Sequence, residues 1–339
     1  MNNSIDKWLL GHKTRAVRTK DSGGFFVGKK KSAPPLKPGY GLANLRAAAM
    51  KQPEVMVKIT RRLSKGNNGL KGIRNHLDYI SRNGEVEVEN QDGEKFQSKK
   101  ALRNQINDWR KLGIPEQSKR REAINIVLSM PPGTPPQAVK NAAREFAAEQ
   151  FQGHQYAFAL HTDSDRPDEP AHPHVHLCVL IRDEFGQRLN PRKNDLYEWR
   201  LRFAEKMREQ GVPCAATRRQ LRGVTIKENS TLKAMEKRGY VGIVHKRQAQ
   251  ELIEAIRKNK RPAHLYLKEA VQTRHEIVQA YAEISKELYK AGHKTEARLL
   301  SKFAKEIIDT GFNTQAQNVF DKTVKDIKHN INQNTHQER

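Results

Sequence analysis

Val55-Met-Val-Lys-Ile-Thr60 alternates apolar and polar positions, the two-residue period of a strand with one buried face. After Gly66-Asn-Asn-Gly69 the period lengthens, and Leu70, Ile73, Leu77 and Ile80 recur at the spacing of one helix face. At about 100° per residue, Tyr79 falls roughly 140° from the centre of that stripe, which sets it off the core of its own helix. The pattern continues with a strand at Glu85–Glu89 and a helix near Lys99–Leu112 on Leu102, Ile106 and Trp109. A strand at Ala123–Met130 buries Ile124, Ile126 and Leu128, and Pro131-Pro-Gly-Thr-Pro-Pro136 stops it. A helix from Gln137 to Phe151 follows, on Val139, Ala142, Ala143, Phe146 and Ala147. Beyond a hairpin, a further helix spans about Asp195–Gln210 with Leu196, Trp199, Phe203 and Met207 inward. Strands interleaved with helices predict an α+β fold, a mainly antiparallel sheet with helices on one face.

The flanks read differently. Residues 1–53 hold Lys29-Lys30-Lys31, Pro34-Pro35, Pro38 and scattered glycines with little periodicity. They are expected to be a flexible basic extension, with an arm that grips DNA phosphates as the alternative. Past residue 224 the pattern becomes helical with basic faces, near Thr231–Lys237, Arg247–Lys258, Ala263–Ala291, Lys294–Asp309 and Gln315–Ile331. Leu265, Tyr266, Ala270, Val271, Ile277, Val278, Tyr281, Ile284 and Leu288 are its expected core. The organisation is thus an extension (1–53), an α+β domain (54–224) and an all-α basic region (225–339).

The hairpin carries the chemistry. On the incoming strand Phe158 and Leu160 share one face, while Ala159, His161 and Asp163 share the other. On the outgoing strand Val175, Leu177, Val179 and Ile181 oppose His172, His174 and His176. Paired strands would bring imidazoles together on one side of the sheet. Three neutral imidazoles make a divalent-metal site with open coordination positions, and His161, His174 and His176 are the candidate ligands. His172, before Pro173 at the strand entry, is read as a loop residue or as one that supports a ligand from behind.

Charge narrows the partner. The 339 residues carry a net charge of +25 and a pI near 10.0, an excess of cations that calls for a polyanion such as nucleic acid. The two cysteines, Cys178 and Cys214, lack paired spacing, which argues against a disulfide framework, and no apolar run approaches a membrane span. The expectation is a cytoplasmic protein with no membrane contact.

The motifs also resemble a known family. Asn75-His-Leu-Asp-Tyr-Ile-Ser-Arg-Asn-Gly84, Leu128-Ser-Met-Pro-Pro-Gly-Thr134, His161-Thr-Asp with His172-Pro-His-Val-His-Leu177, and Ala216-Thr-Arg-Arg-Gln-Leu-Arg-Gly223 occur in the order found in relaxases. The resemblance is to the P-type mobilisation class that includes the T-DNA-border relaxase, single-strand endonucleases with a histidine-hydrophobe-histidine motif, and it covers about half of the chain.

The resemblance implies a bacterial relaxase that nicks one strand at an origin of transfer and keeps it on Tyr79. His161, His174 and His176 would then hold Mg²⁺ or Mn²⁺, with Zn²⁺ as the other choice. Asp163 would orient a ligand or help deprotonate the phenol, against the plainer reading of a solvated hairpin carboxylate. Lys71, Arg74, Arg82, Arg218, Arg219 and Arg222 are the candidate DNA contacts. The partners implied are single-stranded or supercoiled origin DNA, accessory relaxosome proteins and a coupling protein, with translocation alongside the strand as an extension of the same reading. Two departures stand out: Asn125 occupies a third-strand position where many relatives have histidine, and Arg166–Ala171 lengthens the hairpin loop. The rival readings are a rolling-circle initiator or transposase of the same chemistry, and a non-catalytic basic DNA-binding protein with a structural metal.

Overall fold

The computed structural model describes residues 2–15, 17–19, 33–60, 68–162, 172–222, 237–240, 242–263, 266–309, 313 and 316–326. The chain divides into two compact units, Met1–Thr217 and Arg218–Arg339. Arg218, Arg219 and Arg222, expected at the close of the α+β domain, therefore fall in the second unit.

The centre of the first unit is an antiparallel sheet ordered β2 (Met56–Thr60), β5 (Ala123–Ser129), β7 (His174–Asp183), β6 (His154–His161), β3 (Val88–Asn90) and β4 (Lys95–Phe96). Near its far end β7 also pairs with β8 (Arg188–Leu189), which pairs in turn with β1 (Arg18–Thr19). β7 is thus flanked on both sides and its residues are buried almost throughout, as a central strand requires.

Both faces of this sheet are covered, where the sequence pattern placed helices on one. Ala123, Ala157, Ala159, Cys178 and Leu180 present small or slender side chains to α3 (Leu70–Ile80) and α4 (Lys99–Lys111). Leu70, Ile73, Leu77, Ile80, Leu102, Ile106 and Trp109 fill the layer above them. On the opposite face the Arg144 guanidinium of α5 (Pro136–Gln150) lies 6.0 Å from the centre of the Phe158 ring and pairs with the Glu89 carboxylate. α6 (Lys193–Glu209) packs on α5 through edge-on contacts of Phe146 with Phe203 and of Phe151 with Trp199. Small residues beside the histidines admit these two helices.

The first 53 residues also depart from expectation where they are described. Residues 2–10 and 40–49 form α1 (Asn2–Leu10) and α2 (Tyr40–Ala49), which bury Ile5, Leu9 and Leu45. The Asp6 carboxylate accepts from the backbone N–H groups of Gly39 (2.8 Å) and Gly41 (2.6 Å), capping α2 from another helix. A Cβ on Gly41 would come within 2.7 Å of that carboxylate, so the cap needs glycine there. Each helix has too few apolar positions to raise a period above the glycine, proline and lysine around it; the lysine tract 29–31 lies outside the described residues. Because Leu9 is fully buried, Leu9→Ala is expected to cost about 2–5 kcal/mol in chemical denaturation. A flexible tail would lose nothing.

In the second unit, helices Leu267–Lys290 and Lys294–Asp309 form a hairpin that buries Ile277, Tyr281, Ile284 and Leu288 against Leu300, Phe303 and Ile307. The Tyr281 hydroxyl donates to the Leu221 carbonyl at 2.8 Å and its ring meets Phe303 edge-on. This is the all-α region expected from the sequence, with a shorter core: Tyr266 and Ala270 are exposed, and Leu265 lies outside the described residues. The same holds for most of the helix expected at Thr231–Lys237 and for the last residues of that at Gln315–Ile331. Among the described residues no helix is long and apolar enough to cross a membrane.

Candidate active site

Strand register assembles the imidazoles. His161 pairs with His174 across β6 and β7, and Ala159 pairs with His176, so all three histidines share the face under α3. Their side chains are buried, their ring centres lie 4.7 to 5.3 Å apart, and one nitrogen from each falls within 4.8 Å of the others.

Hydrogen bonds decide which nitrogens face inward. His161 Nε2 lies 2.7 Å from the Ile80 carbonyl oxygen, which can only accept, so Nε2 carries the proton and Nδ1 keeps its lone pair. His174 Nδ1 donates to the His172 carbonyl at 3.0 Å, leaving Nε2 for the centre. Backbone partners of this kind fix the tautomer and aim of metal-binding histidines. Buried His161 Nδ1 and His176 Nε2 have no hydrogen-bond partner among the described residues. Burial, and then the neighbouring His161, His174 and His76, push His176 down to about 3, so its imidazole is neutral at physiological pH. An orphaned buried polar atom costs about 1–3 kcal/mol, which a coordinated cation would remove. The donor set fits a divalent ion, and imidazoles favour the borderline metals over Mg²⁺.

α3 brings the tyrosine. Its N-terminal N–H groups are satisfied by carbonyls of the 115–116 segment, Leu70 N donating to Pro115 O at 2.9 Å. A side chain at Gly69 would strike that carbonyl at 2.5 Å, so glycine permits the approach. At the other end Ser81 caps the helix, and Arg82, Asn83 and Gly84 follow with φ of 49°, 61° and 97°. This left-handed run ends the α-helical ladder, and the Gly84 N–H turns to the Ser81 carbonyl at 2.9 Å. The Ile80 carbonyl, which an uninterrupted helix would use for that N–H, is the one that holds His161. α3 and His161 are joined through the peptide next to Tyr79.

Tyr79 is 52% exposed, off the packed stripe of α3, and its ring stands edge-on to His176 at 5.7 Å between centres. His76, one turn earlier, lies nearly parallel to the Tyr79 ring at 6.3 Å and edge-on to His176 at 6.5 Å. The sequence grouped His76 only with the basic neighbours of Tyr79, because the strand opposite it cannot be seen from α3 alone. The Ile80 carbonyl had no sequence signal at all.

Asp163 and the 166–171 loop lie outside the described residues. Lys71 and Arg82 are exposed at the two ends of α3, while Arg74 is engaged by Glu116 at 3.1 Å. Arg110 and Arg74 together hold the Glu116 carboxyl below its ordinary range. Arg219 is exposed and Arg218 and Arg222 are half-buried in the second unit. Asn125 shares the histidine face but pairs with Cys178, one step towards the α3–α4 core, where its buried Oδ1 has no partner among the described residues.

Residues 79–212 match the family model of the MobA/VirD2-like relaxase nuclease domain, a span that takes in Tyr79 and all three histidines. This stretch of the chain is similar to the nuclease domain of relaxases. It is 29% identical over 184 residues to the T-DNA border endonuclease VirD2 of Agrobacterium fabrum, covering 47% of this chain and 39% of that relative. The protein of the same name from Rhizobium radiobacter is 30% identical over 183 residues, covering 47% of this chain and 41% of its own length. The relaxase match therefore spans about two fifths of these relatives. No solved structure matches the chain significantly.

Proposed function

We propose that this protein is a relaxase, which nicks one DNA strand at an origin of transfer by attack of Tyr79 on a phosphodiester, in conjugative transfer or mobilisation. The observation that carries this reading is the Tyr79 ring set edge-on against His176, beside a buried cluster of three inward-facing imidazoles. A free phenol has a pKa near ~10 and is a weak nucleophile at neutral pH. When bound by His161, His174 and His176, a divalent ion would offset the charge that builds on the scissile phosphate. The Tyr79 oxygen forms the new bond to phosphorus as the bond to the 3′ oxygen breaks. The phenol gives up its proton and the leaving oxygen gains one, so the products are a 5′-phosphotyrosyl link and a free 3′-hydroxyl. Because one phosphodiester replaces another, the reverse transfer rejoins the strand without ATP.

Asp163, two residues beyond His161, is the proposed carboxylate for orienting a ligand or receiving the phenolic proton. Lys71, Arg74, Arg82, Arg218, Arg219 and Arg222 are proposed to contact phosphates. Accessory relaxosome proteins, a coupling protein, and cytoplasmic residence with later translocation complete the reading and rest on the family resemblance. Incubation with a single-stranded transfer-origin oligonucleotide and a divalent metal should yield a covalent protein–DNA band under denaturing conditions; its absence with every origin from the same element would refute the assignment.

Binding should be strongly electrostatic. With a net charge of +25, affinity for origin DNA is expected to fall linearly in log–log form with salt, by about 10³–10⁵ between 50 and 200 mM if 6–10 phosphates are contacted. A flat salt titration would exclude phosphate contacts as the main source of affinity.

A further inference from the structure

We infer that His76 is a positioning residue for the nucleophile: its ring holds the Tyr79 phenol in the orientation that faces the imidazole cluster. This rests on the reading of Tyr79 as nucleophile. An exposed tyrosine on a helix surface ordinarily exchanges between two χ1 wells, and only one of them can aim its hydroxyl at a given phosphorus. Helical side chains lean towards the preceding turn, which carries the Tyr79 ring back over residue 76. The two rings lie within 24° of parallel with centres 6.3 Å apart, so the His76 imidazole stands alongside the phenol ring. His176 meets the same phenol edge-on at 5.7 Å from the sheet, and His76 meets His176 edge-on at 6.5 Å. The three rings thus contact one another pairwise, with spacings inside the range for attractive aromatic pairs. His176 is anchored by its strand and half-buried His76 by its helix, so the exposed phenol is the member whose freedom the arrangement removes. Pre-orienting a reacting group is worth a large rate factor, and a misplacement of about 1 Å can cost about 100-fold.

The role needs a ring at position 76 rather than a titrating group, which separates it from proton transfer. His76→Ala is expected to slow single-turnover formation of the Tyr79 adduct by about 10–100-fold, with metal affinity and origin-DNA affinity changed by less than about twofold. His76→Phe keeps a flat ring and should recover most of the rate. A second readout needs neither DNA nor metal. In protein carrying ¹³C-labelled tyrosine rings, the Tyr79 signal, identified by its loss in Tyr79→Phe, should be displaced by its ring neighbours in wild type and His76→Phe. In His76→Ala it should move towards the position of a free tyrosine.

An unchanged Tyr79 signal and adduct rate in His76→Ala would overturn the inference, and so would a His76→Phe protein as slow as His76→Ala. Failure of the nucleophile assignment would look different: Tyr79→Phe would still form the adduct, while the spectra of the His76 variants would report ring packing regardless.

Discussion

Tyr79→Phe is expected to abolish the covalent protein–DNA adduct and all strand transfer while the protein folds, binds metal and binds origin DNA as wild type does. The separation follows from where the hydroxyl sits. Tyr79 is 52% exposed, and the core beneath α3 is made by Leu70, Ile73, Leu77 and Ile80, so removing one phenolic oxygen takes nothing from packing. The phenyl ring that remains keeps its edge contact with His176 and its neighbour His76. What disappears is the only atom of that side chain able to bond phosphorus, so the loss should be complete rather than graded. Digestion of the wild-type adduct and mass spectrometry should place the nucleotide on Tyr79 and on neither Tyr40, Tyr156 nor Tyr197. Tyr156 and Tyr197 are buried, and burial pushes the Tyr156 hydroxyl up to about 12, which makes it a poor nucleophile. A covalent complex formed by Tyr79→Phe would refute the mechanism even if nuclease activity persisted.

The second large effect concerns the metal. Chelation should abolish adduct formation, and Mn²⁺ or another borderline ion should restore it, because the donors are three imidazoles. His174→Ala and His176→Ala should each weaken Mn²⁺ binding by more than about 100-fold, beyond the loss typical of removing a partner behind a ligand. Their folds should survive. Among the described residues the buried His176 Nε2 has no hydrogen-bond partner, so removing it offsets part of the cost of the cavity that His176→Ala leaves. Thermal denaturation reads both points together. At about 100 times its Kd, Mn²⁺ should add ~2.7 kcal/mol to wild-type stability and nothing comparable to either variant. Full activity of His174→Ala in chelator would remove the metal from the mechanism.

Much of this was legible in one dimension because local periodicity follows from local geometry. The helix 70–80 and the strand 123–129 were read nearly to the residue, since a long stripe of apolar positions leaves one way to bury them. Alternation set His161 opposite Phe158 and Leu160 on one strand and put His174 and His176 together opposite Val175 and Leu177 on the next, because a strand sends side chains to opposite sides in turn. The off-stripe position of Tyr79 likewise follows from its helix alone. By contrast, Glu85–Glu89 was read as a strand and the pairing begins only at Val88, because Glu85 keeps a helical backbone and the Val86 N–H turns back to the Ser81 carbonyl at 2.8 Å.

The sequence by itself thus determined the main elements of residues 54–224, the shared face of His174 and His176 and the off-stripe position of Tyr79. Only the tertiary structure decided how they meet. It paired His161 with His174, covered both faces of the sheet, folded α1 and α2 onto the domain, and set His76 and Tyr79 beside His176. It also turned the Ile80 carbonyl to His161, a choice made by a backbone atom that no residue type announces. The physical reason is range: periodicity records which side of an element is buried, whereas the partner across the gap is selected by long-range packing that no single stretch encodes.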